Sequence, residues 1–271
     1  MSDTASTSTP VLLLESFDNV RILRLNRPEK KNALSNELVR QLVRAFEEAA
    51  SDNDVRVVGI TGQGGAFSSG ADLSEGKPGD AAKGLDGEKD DLGTIGRLVL
   101  GIRLACDKPV IAGIDGVAIG AGLALAMCAD MRIASSAAIL QAGYARAGSS
   151  PDAGLSWTLP EAIGHERAMR FLLEQEKLDA DAALALGMVG EVADAKGFDT
   201  AFLAYCARIA EVAPIASRQT KRLITRAGLP ADLESQLRDE LAYAIHALTS
   251  KDGKEAIRAI FQKRKPVFSG E

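Results

Sequence analysis

Residues Gly113 to Asp130 read GIDGVAIGAGLALAMCAD, and this stretch decides the fold. The apolar run Pro109 to Ile114 has strand length and ends at Asp115 and Gly116. After Gly120 to Gly122 an apolar segment continues to Ala129 and reads as a buried helix. A strand that feeds a helix through glycines is the repeating unit of an α/β protein. Gly116 to Ala129 carries no charge, yet it falls short of the ~20 residues a bilayer span needs. It is a core segment, not a membrane anchor.

Outward from this centre the same alternation holds. VLLLE and VRILRLN, within Val11 to Asn26, flank the polar turn Ser16 to Asn19 as strand, turn, strand. Leu38, Leu42, Val43 and Phe46 then repeat at helical spacing through Ala50, and VRVVGITG, Val55 to Gly62, reads as a buried strand. Ile95, Leu98, Val99, Ile102 and Leu104 predict a helix over Thr94 to Ala105. MRIAS (Met131 to Ser135) and AIL (Ala138 to Leu140) predict further strands. From about His165 the chain turns alanine-rich and helical, over 167–173, 180–186, 198–212, 217–227, 232–249 and 253–263. MVGEVA is the single strand candidate there. The organisation is a disordered tail over 1–10, an α/β core over 11–200 and a helical region over 201–271. The loop from Gly62 to Gly93 has almost no large apolar side chain in its middle, so 77–91 is expected to be mobile.

Composition narrows the function classes. The chain has 271 residues, 32 Lys+Arg against 37 Asp+Glu, and a net charge of −5, which gives no basic field for phosphates, so no nucleic-acid partner is expected. Three cysteines and two histidines stand at no ligand spacing, so neither a disulfide framework nor a metal site is expected. The start MSDTASTSTP lacks the charged and apolar regions of a secretion signal, which leads to a cytoplasmic expectation.

Two glycine loops carry the chemistry. TGQGGAFSSGADL, Thr61 to Leu73, and the GIDGVAIGAG turn each follow a strand. Free N–H groups at such turns can seat an anion, and donors from two loops can form an oxyanion hole. Either loop taken alone reads first as a plain change of chain direction. Neither contains G-x-G-x-x-G, and GADLSEGKP ends in Pro78 where a phosphate loop needs Ser or Thr.

Taken together, NRPEKKNALS, AFSSGADL, PVIAGIDGVAIGAG, AGSSPDAGLSWTLP and the ending IRAIFQKRKPVFSG resemble the crotonase family, also called the enoyl-CoA hydratase/isomerase family. The resemblance covers nearly the whole chain. It implies an α/β fold with a ββα spiral core, a C-terminal helical trimerisation region, and a homotrimer or dimer of trimers. It also implies an acyl-CoA thioester substrate, with coenzyme A part of that substrate and no prosthetic group. The thioester oxygen would be held by the backbone amides of Ala71 and Ala121. The nucleotide would lie near Lys31, Asn32, Ala33 and Leu34 and along Ala71, Asp72 and Leu73.

Family hydratases resembling this chain use two glutamates, and the matching positions here are Ala124 and Tyr144. One carboxylate remains, Asp152, where several family isomerases place an aspartate. Its setting also fits the N-cap of the following helix. With the resemblance, Asp152 beside apolar walls is read as the base. Moving a double bond needs one proton shuttle, whereas hydration needs two groups, so the expectation is an acyl-CoA isomerase. The overall chain looks most like phenylacetate-degradation-type and 3-enoyl-CoA isomerases. An enoyl-CoA hydratase, an acyl-CoA hydrolase and a non-catalytic acyl-CoA- or RNA-binding relative are the alternatives. Tyr144 either orients substrate or packs in the pocket. Lys30 and Lys31 are either phosphate partners or solvated, and Lys263, Arg264 and Lys265 either approach the acyl-CoA site, as the resemblance implies for the C-terminal helix, or form a surface face. Trp157 is expected in the core, Glu161 and His165 at the surface, and His246 within a helix.

Overall fold

The computed structural model describes residues 9–75, 92–145, 149–227 and 249–271. The tail to residue 8, the whole stretch 77–91 expected to be mobile, residues 232–248 of the helix expected at 232–249, and His246 lie outside the described residues. VLLLE and VRILRLN form an antiparallel hairpin, β1 (Leu12–Phe17) and β2 (Val20–Leu25). Its two-residue turn places Asp18 at φ 50°, a left-handed conformation that aspartate tolerates. α1 (Asn36–Ser51) begins at Ser35, whose side chain accepts from the Leu38 N–H, and it buries Leu38, Leu42, Val43 and Phe46 as their spacing predicts. β3 (Val57–Gly62) follows with every residue buried.

α2 (Gly93–Leu100) runs into one π-helical turn, Gly101–Ala105. Then come β4 (Val110–Ile114), β5 (Val117–Ile119), α3 (Ala121–Cys128), β6 (Met131–Ser135) and β7 (Ile139–Gln141). α4 (Leu155–Ile163), α5 (His165–Glu174), β8 (Lys177–Asp179), α6 (Ala180–Leu186) and β9 (Glu191–Ala193) precede the last described helices. These are α7 (Phe198–Ala210), α8 (Pro214–Ala227) and α9 (Lys251–Gln262).

The main sheet has the order β1-β2-β3-β4-β6-β9, antiparallel at β1/β2 and parallel thereafter. Parallel central strands must be covered on both faces. One face of β3 presents Val58 and Ile60 to the core shared with α1 and α3. The other presents Val57 to Phe198, Phe202 and Cys206 of α7. A domain boundary at 200/201 therefore falls inside a helix that packs on the sheet. α8 is tied in by Lys221, whose buried ammonium reaches Asp130 at 2.8 Å and the carbonyls of Ile102 at 2.8 Å and Lys108 at 3.0 Å.

A second sheet, β5-β7-β8, differs from the sequence expectation. β5 lies inside the stretch read as a glycine turn, and β8 in a region expected to need only the MVGEVA strand, which β9 supplies. Each has three residues, too few for a period-2 pattern, and each is extended because β7 lies beside it. No described helix is long and apolar enough to cross a membrane.

Candidate active site

β3 and β4 are adjacent and parallel, with Thr61 opposite Gly113, so both glycine loops leave the same sheet edge. The carboxyl ends of parallel strands are where α/β sheets bind ligands. The first loop is laced to the second at Ser68, whose N–H donates to the Val117 carbonyl at 2.9 Å and whose carbonyl accepts from the Ile119 N–H at 3.0 Å. On its other side the Leu34 N–H donates to the Gly70 carbonyl at 2.8 Å and the Asp72 N–H to the Leu34 carbonyl at 3.0 Å. These bonds use the groups flanking Ala71 and leave its own N–H without a partner among the described residues.

The Ala121 N–H opens α3, ahead of the helical ladder, and is likewise without a partner among the described residues. The two loops touch at Gly70, which has φ 100°; a side chain there would begin 2.9 Å from the Ile119 carbonyl oxygen and 3.6 Å from the Ala121 nitrogen. Gly122 is needed for another reason. A Cβ on it would lie 2.6 Å from both Cβ and the carbonyl oxygen of Ser68. Close backbone approach thus sets two unpaired donors, Ala71 and Ala121, on neighbouring loops, an arrangement suited to an oxygen that gains negative charge.

Asn32 is the buried hub of this arrangement. Its Oδ1 accepts from the Arg27 N–H at 2.8 Å, its Nδ2 donates to the carbonyls of Gln63 at 2.9 Å and Ala66 at 2.7 Å, and its own carbonyl accepts from Ser68 Oγ at 2.8 Å. Ala33 and Leu34 also turn their side chains inward, so from residues 32–34 a bound nucleotide could meet only backbone. Lys31 is exposed at φ 49°, and Leu73 is 88% exposed. Lys30 is engaged: its Nζ lies 3.0 Å from Asp72 Oδ2 and 3.0 Å from Ser74 Oγ. The Ser74 hydroxyl, with Arg27 and Lys30, holds the Asp72 carboxyl well below the usual carboxylate range.

Asp152 does not cap a helix. Gly154 is the N-cap of α4 and makes no side-chain cap bond, while the Asp152 carbonyl accepts from the Leu155 N–H at 3.0 Å. Ala153 at φ 49° and Gly154 at φ 76° form a left-handed turn that frees the Asp152 side chain. Its Oδ1 accepts from the Tyr144 hydroxyl at 2.7 Å. Tyr144 is buried; desolvation first, and then the charge of Asp152, push its hydroxyl well above the usual tyrosine range, so it stays a donor. Behind the turn the Cys128 thiol donates to the Ala153 carbonyl at 3.4 Å, but Asp152 itself is exposed, so the apolar walls expected around its carboxylate do not enclose it.

Other sequence candidates fall elsewhere. Trp157, expected in the core, is 51% exposed, because Leu155, Thr158, Leu159 and Ile163 form the inward face of α4 and position 157 points away from it. Glu161 pairs with Arg103 at 2.9 Å, and His165 is exposed at the start of α5. Arg264 pairs with Glu255 at 2.6 Å and Lys265 with Glu211 at 2.5 Å, so these two charges of the basic ending are neutralised within the chain. Ala124 is fully buried in α3. The three cysteines are free and buried, and no cluster of metal-ligating residues occurs among the described residues.

Arg27 was not singled out by sequence reasoning, although it stands in the NRPEKKNALS motif. Nothing in its spacing tells that its guanidinium meets a carboxylate 45 residues away.

Comparison with known proteins adds an independent line. The family model described as enoyl-CoA hydratase/isomerase matches residues 15–271. A Rhodobacter capsulatus protein named "Probable enoyl-CoA hydratase" is 34% identical over 256 residues, covering 94% of this chain and 96% of that protein. Among solved structures, an enoyl-CoA hydratase from Polaromonas sp. JS666 superposes with a TM-score of 0.85 at 30% identity, covering 95% of this chain and 99% of the other. A "probable enoyl-CoA hydratase/isomerase" from Mycobacterium abscessus gives 0.86 at 31% identity, covering 97% and 100%.

Proposed function

This chain belongs to the enoyl-CoA hydratase/isomerase family, and we propose that within it the protein is an acyl-CoA isomerase that shifts a double bond with one aspartate as acid and base. The observation that carries this reading is the Tyr144 to Asp152 contact of 2.7 Å, together with Ala124, fully buried, where the resemblance puts a hydratase glutamate. In the proposed cycle the Ala71 and Ala121 amides hold the thioester oxygen of a 3-enoyl-CoA. Asp152 takes a proton from C2, the electrons spread over a dienolate, and the same carboxyl returns the proton to C4. The product is the conjugated 2-enoyl-CoA, with no change of mass. Tyr144 keeps its proton and holds the carboxylate in place.

Coenzyme A enters as part of the substrate. The exposed side of Lys31, Ala71 and Leu73, with the backbone of Asn32, Ala33 and Leu34 and the edge at Asp72, is its proposed seat. Exposed Val212, Ile224 and Val267 of the C-terminal helical region supply apolar surface for the homotrimer or dimer of trimers that the resemblance implies, which sedimentation of the purified protein tests.

A second reading, hydration of 2-enoyl-CoA, is favoured by the names of the relatives, and a water held by Tyr144 and Asp152 would be its nucleophile. The test is direct. Conjugated enoyl-thioester absorbance that rises from 3-enoyl-CoA at constant mass, and is abolished in Asp152→Ala, supports isomerisation. Absorbance lost from 2-enoyl-CoA with the mass of one added water overturns it in favour of hydration.

A further inference from the structure

We propose that Arg27 and Asp72 are positioning residues for the oxyanion hole, a clamp that fixes where the Ala71 amide points. The inference rests on the reading above only in taking Ala71 as a donor to the thioester oxygen; it does not depend on Asp152 being the base. Ala71 lies between two chain segments that no regular secondary structure joins: the turn after β2 and the loop after β3. Their backbone links include the isolated bridge at Leu34 and Ala71 and the Ser69 N–H, which donates to the Lys31 carbonyl at 2.9 Å. None of these links bonds the Ala71 N–H itself, an amide that must be held to a fraction of an ångström.

The side chains supply the rest. Arg27 Nη1 donates to the Ala33 carbonyl at 2.6 Å and Nη2 to Asp72 Oδ2 at 2.7 Å, so one planar group grips residues on both sides of the bridge, one position from Leu34 and one from Ala71. The backbone of Arg27 is itself held, since its N–H donates to Asn32 Oδ1 at 2.8 Å. The pair is buried, with 10% of the Arg27 side chain and 5% of the Asp72 side chain exposed. Water does not loosen such a pair as it does at a surface.

Asp72 is braced again by Lys30 Nζ at 3.0 Å, and its Oδ1 accepts from the Ser74 N–H at 3.1 Å and the Ser74 hydroxyl at 2.5 Å. The fork geometry is specific to arginine, whose two donors are fixed in one plane and so set the directions of the Ala33 carbonyl and the Asp72 carboxylate together, whereas the donors of a lysine ammonium rotate about one nitrogen.

The test reads carbonyl polarisation and turnover separately. A conjugated aromatic acyl-CoA bound to the enzyme absorbs at longer wavelength when donors pull on its thioester oxygen. Arg27→Met should lose that red shift and about 10²-fold in kcat, the order expected when a donor is displaced by ~1 Å, while KM stays near the parent value. Arg27→Lys and Asp72→Asn keep the volume and much of the bonding, so they fold if Arg27→Met does not, and each should show a reduced shift. Folded Arg27→Lys and Asp72→Asn proteins with the full red shift and parent kcat would overturn the clamp.

Asp152→Asn serves as the reference. A red shift retained there with turnover lost shows that the oxyanion hole stands apart from the base. A parent enzyme that binds the probe with no red shift overturns the donor assignment, and the clamp with it, whereas a red-shifted parent with unaffected Arg27 variants overturns the clamp alone.

Discussion

Replacing Gly122 with alanine separates the demands of the helix from those of the site. Gly122 is the second residue of α3 and has no positive φ, so alanine suits its backbone and would gain about 1 kcal/mol of helix propensity. Against this, the new methyl would begin 2.6 Å from Ser68 Cβ and 2.6 Å from the Ser68 carbonyl oxygen, where ordinary contact starts near 3.4 Å. About 0.8 Å of separation must therefore open. Ser68 cannot give way, being held through its N–H, its carbonyl and its hydroxyl.

The shift falls on the start of α3 and so on the Ala121 amide. Overpacking of this kind costs about 1–3 kcal/mol, more than the helix gains. A displacement near 1 Å at a donor costs ~10²-fold in rate. We expect Gly122→Ala to lose about 10²-fold in kcat on 3-enoyl-CoA, followed by enoyl-thioester absorbance, with a lowered Tm. Gly101→Ala is the control: with φ −57° and nothing among the described residues within 4 Å of its new methyl, it should keep kcat and hold or raise Tm. Parent kcat and Tm in Gly122→Ala would refute the claim that close approach of Ser68 and α3 places the Ala121 donor.

Three further outcomes are expected. Tyr144→Phe removes a hydrogen bond to a charged acceptor, a contribution of about 1.5–3 kcal/mol, so kcat should fall ~10–10²-fold with the acyl-CoA Kd unchanged; an unaltered kcat would show that the 2.7 Å contact is packing alone. Glu255 is held down to about 2, by Arg264 first and then by the Val267 N–H. Its stabilising effect is thus present above the unfolded carboxylate value and lost as pH falls through about 2. Glu255→Gln should expose residues 264–271 to hydrogen exchange at neutral pH, and equal protection in both proteins would contradict this. Burial pushes the thiols of Cys128 and Cys206 up to about 12 and raises that of Cys106, so a thiol reagent at pH 8 should find no reactive cysteine until the protein unfolds, when three appear.

Much of the frame was legible because its signals are local. The apolar spacing of α1, the continuous apolar runs of β3 and β4 and the all-apolar α3 each follow from burial on one or both faces. β5 and β8 were not legible, since they owe their shape to β7 beside them. Trp157 misled because an aromatic favours burial on average, while its position on α4 puts it outside. Asp152 was visible as a carboxylate in an otherwise depleted stretch. That it meets Tyr144 instead of capping α4 depended on the left-handed turn at Ala153 and Gly154.

What the sequence determined by itself is the α/β class and the two glycine loops, because each is written in residue types a few positions apart; Asp152 was singled out by the family resemblance. What only the tertiary structure decided is which groups meet. The Ala71 and Ala121 donors come to neighbouring loops because β3 and β4 are parallel neighbours, and Arg27 reaches Asp72 because the turn after β2 folds against the loop after β3. Contacts between residues tens of positions apart are fixed by strand order and close packing, and no short window of sequence carries either.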